Sequence, residues 1–203
     1  MTEPIFRYDR RMIQKILILG DSHTCGHYGI HLDRLCRQTG ASVQTWASCC
    51  SSPNWWFEHL PTHCGFFSKD EKGKTFRTPF GVYYPTPDIA TLLKNFSPEL
   101  SVVSLGANMI DFCESYVIAT TRKLAMTLLE APSQLIWVGP PVVRLQPREN
   151  LDRLYPFLFK ALEGYCPLLD SRPWTWYPPE GGDGIHYTGN IGRQIALNWA
   201  EEV

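Results

Sequence analysis

The chain lacks a CxxC pair, an extended basic block and any apolar run near the length of a membrane span. Without CxxC, a zinc ribbon or a thioredoxin-like motif has nothing to build on. With a net charge of −1 and no basic block, nucleic acid is not an expected partner. Apolar runs this short predict no transmembrane helix. His27, His31, His59 and His63 have no partners at ligand spacing, so no metal is expected. Met1 to Arg11 is polar and charged, with no signal-like apolar core before Ile13. Read literally, that places the chain in the cytoplasm. A trimmed export signal leaves the same appearance in a periplasmic or secreted protein. The seven cysteines cannot all pair within one chain. In an exported protein, Cys49 or Cys50 with Cys64 can close a short loop.

What is present suffices for a core. A chain of 203 residues, 44% hydrophobic and 13% aromatic, fits one domain spanning 1–203. Strands are expected at Lys15–Leu19, Ser42–Ala47, Leu100–Leu105, Gln134–Val138 and Pro167–Leu169, mostly as continuous buried-type runs. Helices are expected at Ile30–Thr39, Thr86–Asn95, about Ser115–Glu130, Leu151–Tyr165 and about Ile191–Glu202. Pro156 is expected to kink the fourth of these or delay its start. Strands alternating with helices imply a three-layer α/β/α sandwich around a mainly parallel sheet of about five strands.

One stretch breaks the pattern. Residues 48–86 hold Cys-Cys-Ser-Ser-Pro-Asn-Trp-Trp, three further prolines and little periodicity. A segment of this length and character reads as a functional insertion or a lid. Its charged patch, Lys69 to Lys74, reads as an exposed hairpin or loop tip.

Chemistry-bearing residues sit where elements begin or end. Gly20-Asp21-Ser22 follows the first strand. It reads either as a turn or as a nucleophile at the carboxyl edge of a sheet. Asp183-Gly184-Ile185-His186 precedes the last helix. It supplies an imidazole base with a carboxylate three residues away, or else a helix-capping loop. Asn108 ends the third strand, as an oxyanion donor or a turn residue.

Taken together, the ordered blocks resemble the SGNH/GDSL hydrolase family. Gly20-Asp21-Ser22 matches its first block, Gly106-Ala107-Asn108 its Gly-x-Asn block, and Asp183-x-x-His186 its last. The resemblance implies a flavodoxin-like strand order and ester hydrolysis without a cofactor. It implies Ser22 as nucleophile, His186 as base and Asp183 as its partner. The Ser22 and Cys50 backbone N–H groups and the Asn108 amide would form the oxyanion hole. The family's second block usually offers a glycine, and here Cys50 stands at the corresponding place.

Four residues are candidates for lining the substrate site: His23 beside the serine, Trp55 and Trp56 after the second block, and Trp176 before the last. At least two of Trp55, Trp56, Trp174, Trp176 and Tyr177 are expected to form a local core under the long loops instead. Aromatic walls suit a sugar ring or an acyl chain. The substrate expected is therefore an O-acetylated carbohydrate such as a cell-wall glycan (peptidoglycan). The alternatives are an esterase or thioesterase on short acyl chains, and a glycan-binding pseudoenzyme impaired at Cys50.

Overall fold

The computed structural model describes residues 13–130 and 133–203, so Met1 to Arg11 lies outside the described residues. Strand β1 (Lys15–Gly20) is buried along all but its first residue. Its side chains alternate between two cores, as the period of a strand requires. Ile16 and Ile18 face one way, and Leu17 and Leu19 the other. That is why the run reads as continuously apolar rather than alternating.

Two helices form the layer on the Ile16 side. They are α2 (His27–Gln38) and α7 (Gly189–Glu201), which pack against each other. The Tyr28 ring stacks on Trp199 with centroids 3.7 Å apart, and its hydroxyl meets Ser104 Oγ at 2.7 Å. Between β1 and α2 lies one short helix, α1 (Ser22–Cys25). The opposite layer, on the Leu17 side, begins with α3 (Trp55–Glu58) and α4 (Ile89–Phe96). It continues with α5 (Glu114–Leu129) and α6 (Arg148–Leu162).

Five parallel strands run in the order β2 (Ser42–Ser48), β1, β7 (Leu100–Ser104), β8 (Gln134–Val138), β9 (Leu168–Leu169). This is the flavodoxin-like order. The sheet is larger than the five strands expected. Strands β4 (Phe66–Lys69) and β5 (Thr75–Thr78) form a hairpin that pairs antiparallel with β2, which makes seven strands in the order β5-β4-β2-β1-β7-β8-β9. Both come from the irregular stretch, and the charged turn between them is the exposed tip. A further ladder joins β3 (Pro61–Thr62) to β6 (Tyr84–Pro85) and closes the base of that stretch.

Buried Asp33 on α2 fastens the hairpin. Its carboxylate accepts from Arg37 Nε at 2.9 Å, from Thr45 Oγ1 at 2.8 Å and from the Lys69 ammonium. Burial favours the neutral acid, but Arg37, Lys69 and Thr45 outweigh it and hold the group below its ordinary pKa. Pro156 neither breaks α6 nor delays its start, because the helix begins at Arg148 and runs through it.

Candidate active site

The first strand ends where the chain must pass very close to its neighbours. A Cβ at Gly20 would lie 1.9 Å from Thr24 Oγ1 and 3.1 Å from the Ser104 carbonyl, so only glycine fits. Asp21 then caps α1, accepting from the His23 N–H at 3.0 Å. Ser22 is therefore the first residue of a helix, at the carboxyl edge of the sheet.

Asp21 is buried, and desolvation pushes its carboxyl up to about 7 against the pull of the His23 N–H and the His186 ring. His23 is buried as well. Desolvation, reinforced by His186, pushes its imidazole down to about 3, so it is neutral near pH 7. Its ring lies 5.6 Å from that of His186, centroid to centroid, and its Nε2 has no partner among the described residues.

His186 and Asp183 come from one turn before α7. The Asp183 Oδ2 stands 2.6 Å from His186 Nδ1, while Oδ1 accepts from the N–H groups of Ile185 at 2.9 Å and His186 at 2.7 Å. Partial burial works to raise the Asp183 carboxyl, but the His186 ring and these two N–H groups outweigh it and hold the group well below the carboxylate range. An ionised acceptor at Nδ1 fixes the tautomer with the proton there and leaves Nε2 free to accept. Ser22, His23, Asp183 and His186 all line one open cavity of about 400 Å³.

Two residues with no motif around them hold this turn in place. Arg144 Nη1 donates to the carbonyls of Pro178, Pro179 and Gly181 at 3.0–3.1 Å. The Tyr177 hydroxyl accepts from Gly184 N at 3.0 Å and donates to the His186 carbonyl at 2.9 Å. Neither arginine nor tyrosine is distinctive at such positions, so only the fold reveals them. Arg77 is a third residue that sequence reasoning missed. It stands on β5 and lines the cavity.

Asn108 lies in a 3₁₀ turn after Gly106, beyond β7. Its Nδ2 donates to the Ser51 carbonyl at 3.0 Å and lies 3.4 Å from Asp21 Oδ2. That bond ties the asparagine to the turn after β2. In the turn, Cys50 adopts a left-handed conformation with φ 68°, the geometry that favours glycine. The Cys50 N–H has no acceptor among the described residues. All seven cysteines are free. Cys50 contacts Cys64, while the Cys49 and Cys25 sulfurs approach to 3.4 Å.

The expected aromatic walls do not form. Trp56 is fully buried in the core beneath α3 and α4, and Trp55 packs against that same core. Trp176 is exposed and stands outside the cavity lining. Hydrophobic demand explains the difference, because a short helix in a proline-rich stretch needs a large side chain to anchor it. Of the four candidates for lining the site, His23 does so.

No protein-family model matches the sequence, and no curated protein matches it. Solved structures do. A protein of Slackia heliotrinireducens named as an SGNH hydrolase aligns with a TM-score of 0.61 at 18% identity, over 93% of this chain and 98% of its own. The chain has the fold of the SGNH hydrolases. TesA aligns with a TM-score of 0.61 at 12% identity, over 93% of this chain and 95% of that one. Axe2, an acetylxylan esterase from Geobacillus stearothermophilus, gives 0.59 at 13% identity, over 92% of this chain and 91% of that one. In this SGNH fold the parallel strand order brings the Ser22 turn and the Asp183–His186 turn to the same sheet edge.

Proposed function

We propose that the protein is a serine ester hydrolase. Ser22 Oγ attacks the ester carbonyl as His186 Nε2 takes its proton. Asp183 holds the His186 ring and stabilises the imidazolium that results. The Ser22 and Cys50 N–H groups and the Asn108 amide receive the charge on the tetrahedral oxygen. His186 then protonates the leaving alcohol, and water attacks the acyl group by the same route in reverse. No cofactor enters these steps.

The observation that carries this reading is the 2.6 Å contact between Asp183 and His186 at the wall of the cavity that Ser22 also lines. The SGNH esterases among the structural neighbours support it.

An O-acetylated carbohydrate remains the proposed natural ester, supported by the acetylxylan esterase among the neighbours. With Trp56 in the core and Trp176 outside, the sugar would rest on something other than an aromatic platform. A short-chain esterase is the second reading, and the mostly apolar wall of Tyr28, Ile30 and Tyr187 favours it.

The test is turnover of 4-nitrophenyl acetate. Wild type should exceed Ser22→Ala by at least about 10³-fold. Equal rates would sink the hydrolase reading. Acetate release from acetylated xylan or peptidoglycan, set against hydrolysis of longer 4-nitrophenyl esters, separates the two substrates.

A further inference from the structure

Arg77, an exposed residue on the cavity wall, carries a charge that no described residue neutralises. Its guanidinium lies over the Phe67 ring, 4.3 Å from the centroid, and Nη1 donates to the Cys25 carbonyl at 3.2 Å. A guanidinium has five N–H donors, and this is the one bond it makes among the described residues. None of the described carboxylates pairs with it. The one carboxylate lining the cavity is Asp183, which His186 already engages. The wall also includes Tyr28, Ile30, Tyr187 and Ala196, with exposed His27 beside them.

The position of the charge is preset. Arg77 belongs to a strand paired with β4, and Lys69 of β4 is anchored to buried Asp33. The Phe67 ring and the Cys25 carbonyl hold the guanidinium before any substrate arrives, so little ordering remains to be done on binding. A planar fork with free donors matches the oxygens of a carboxylate, phosphate or sulfate.

We propose that Arg77 is a specificity-determining residue that selects esters bearing a negative charge and holds the anionic group in the cavity lined by Ser22. The proposal rests on the hydrolase reading for its chemistry. It narrows the substrate to an ester with a short apolar segment and an anionic end, on either the acyl or the alcohol side.

Two substrate pairs distinguish the sides. 4-Nitrophenyl hydrogen adipate and its methyl ester differ in charge on the acyl side. 3-Acetoxybenzoate and its methyl ester differ on the alcohol side. In wild type, kcat/KM for the anionic member of one pair should exceed that of its neutral partner by about 10- to 100-fold, the range for a charge-assisted contact. Raising the ionic strength should shrink that ratio. Arg77→Gln and Arg77→Met should bring the ratio towards one, and Arg77→Lys should keep part of it. A wild-type ratio near one for both pairs overturns the proposal. So does a fall of both members by the same factor in the Arg77 variants, which would mark a purely structural role. Calorimetric binding of the same esters to Ser22→Ala reads the preference without turnover. If wild type hydrolyses no ester faster than Ser22→Ala, the hydrolase reading fails, and the calorimetric ratio still decides the role of Arg77.

Discussion

The side-chain amide of Asn108 is held by the backbone carbonyl of Ser51 at 3.0 Å. One N–H of the amide is thereby committed to the turn after β2. The other lies 3.4 Å from Asp21 Oδ2, and under the proposed mechanism it would leave that contact to take the oxyanion. Asn108→Ala should lower kcat for 4-nitrophenyl acetate by about 10²–10³-fold, with a smaller change in KM. An unchanged kcat would remove the amide from the proposed hole.

In the proposed oxyanion hole Cys50 would act through its backbone, yet it carries a side chain at φ 68°. Glycine adopts that conformation without the Cβ penalty. Cys50→Gly should therefore stabilise the fold by up to about 1 kcal/mol, read as a higher urea midpoint at constant slope. A lower midpoint would show that the contact with Cys64 outweighs the strain.

Arg144 gathers three carbonyls of the turn that precedes Asp183. A lysine carries the same charge but lacks the fork. Both Arg144→Ala and Arg144→Lys should lower kcat by about tenfold or more, through loss of positioning at His186. Faster amide exchange at Gly184 and Ile185 should accompany the loss. A drop in kcat without faster exchange would refute the positioning role.

Asp21 makes stability depend on pH in the direction opposite to an ordinary ion-paired carboxylate. Its folded pKa, about 7, lies above the ordinary value of 3.8, so the folded protein binds the extra proton between those limits. Its contribution is fully present below about pH 4 and is lost as pH rises through about 7, a difference of roughly 4 kcal/mol. Asp21→Asn should flatten that fall. Urea unfolding at pH 5 and pH 8 should show a smaller loss in the variant than in wild type. Equal losses would mean that Asp21 is ionised throughout.

Trp56 and Trp176 should part company. Trp56→Ala removes a fully buried side chain and should cost about 3–5 kcal/mol of stability. Trp176→Ala, at an exposed position, should stay within about 0.5 kcal/mol. A Trp56→Ala protein of near wild-type stability with a raised KM would return Trp56 to the substrate site.

The parallel core is legible because its signals are local. Ile16 to Leu19 and Gln134 to Val138 are short apolar runs bounded by glycine, and the helices between strands repeat at the helical period. Gly20-Asp21-Ser22 and Asp183-x-x-His186 are each open to a turn or capping reading alone, and only their order in the resemblance to the SGNH/GDSL blocks makes them candidates for chemistry. The β4–β5 hairpin is legible only at its charged tip, Lys69 to Lys74, because four-residue strands such as Phe66–Lys69 are too short to show alternation above noise. Trp56 stays open between wall and core for a related reason. In a proline- and cysteine-rich stretch, no periodicity distinguishes a wall from an anchor. Arg77, Arg144 and Tyr177 act on partners dozens of residues away or through backbone carbonyls, and no local pattern records either.

The hairpin of β4 and β5 leans on the sheet yet contributes no residue to the proposed proton relay. Its mooring is Asp33 on α2, and its one side chain in the cavity is Arg77. Under the proposed roles, recognition and bond-breaking would lie on separate pieces of chain. Grafting a different sequence onto residues 66–78, with Lys69 retained, offers a way to retune which ester enters while leaving the reacting groups where they are. The segment is an interchangeable jaw on a fixed tool.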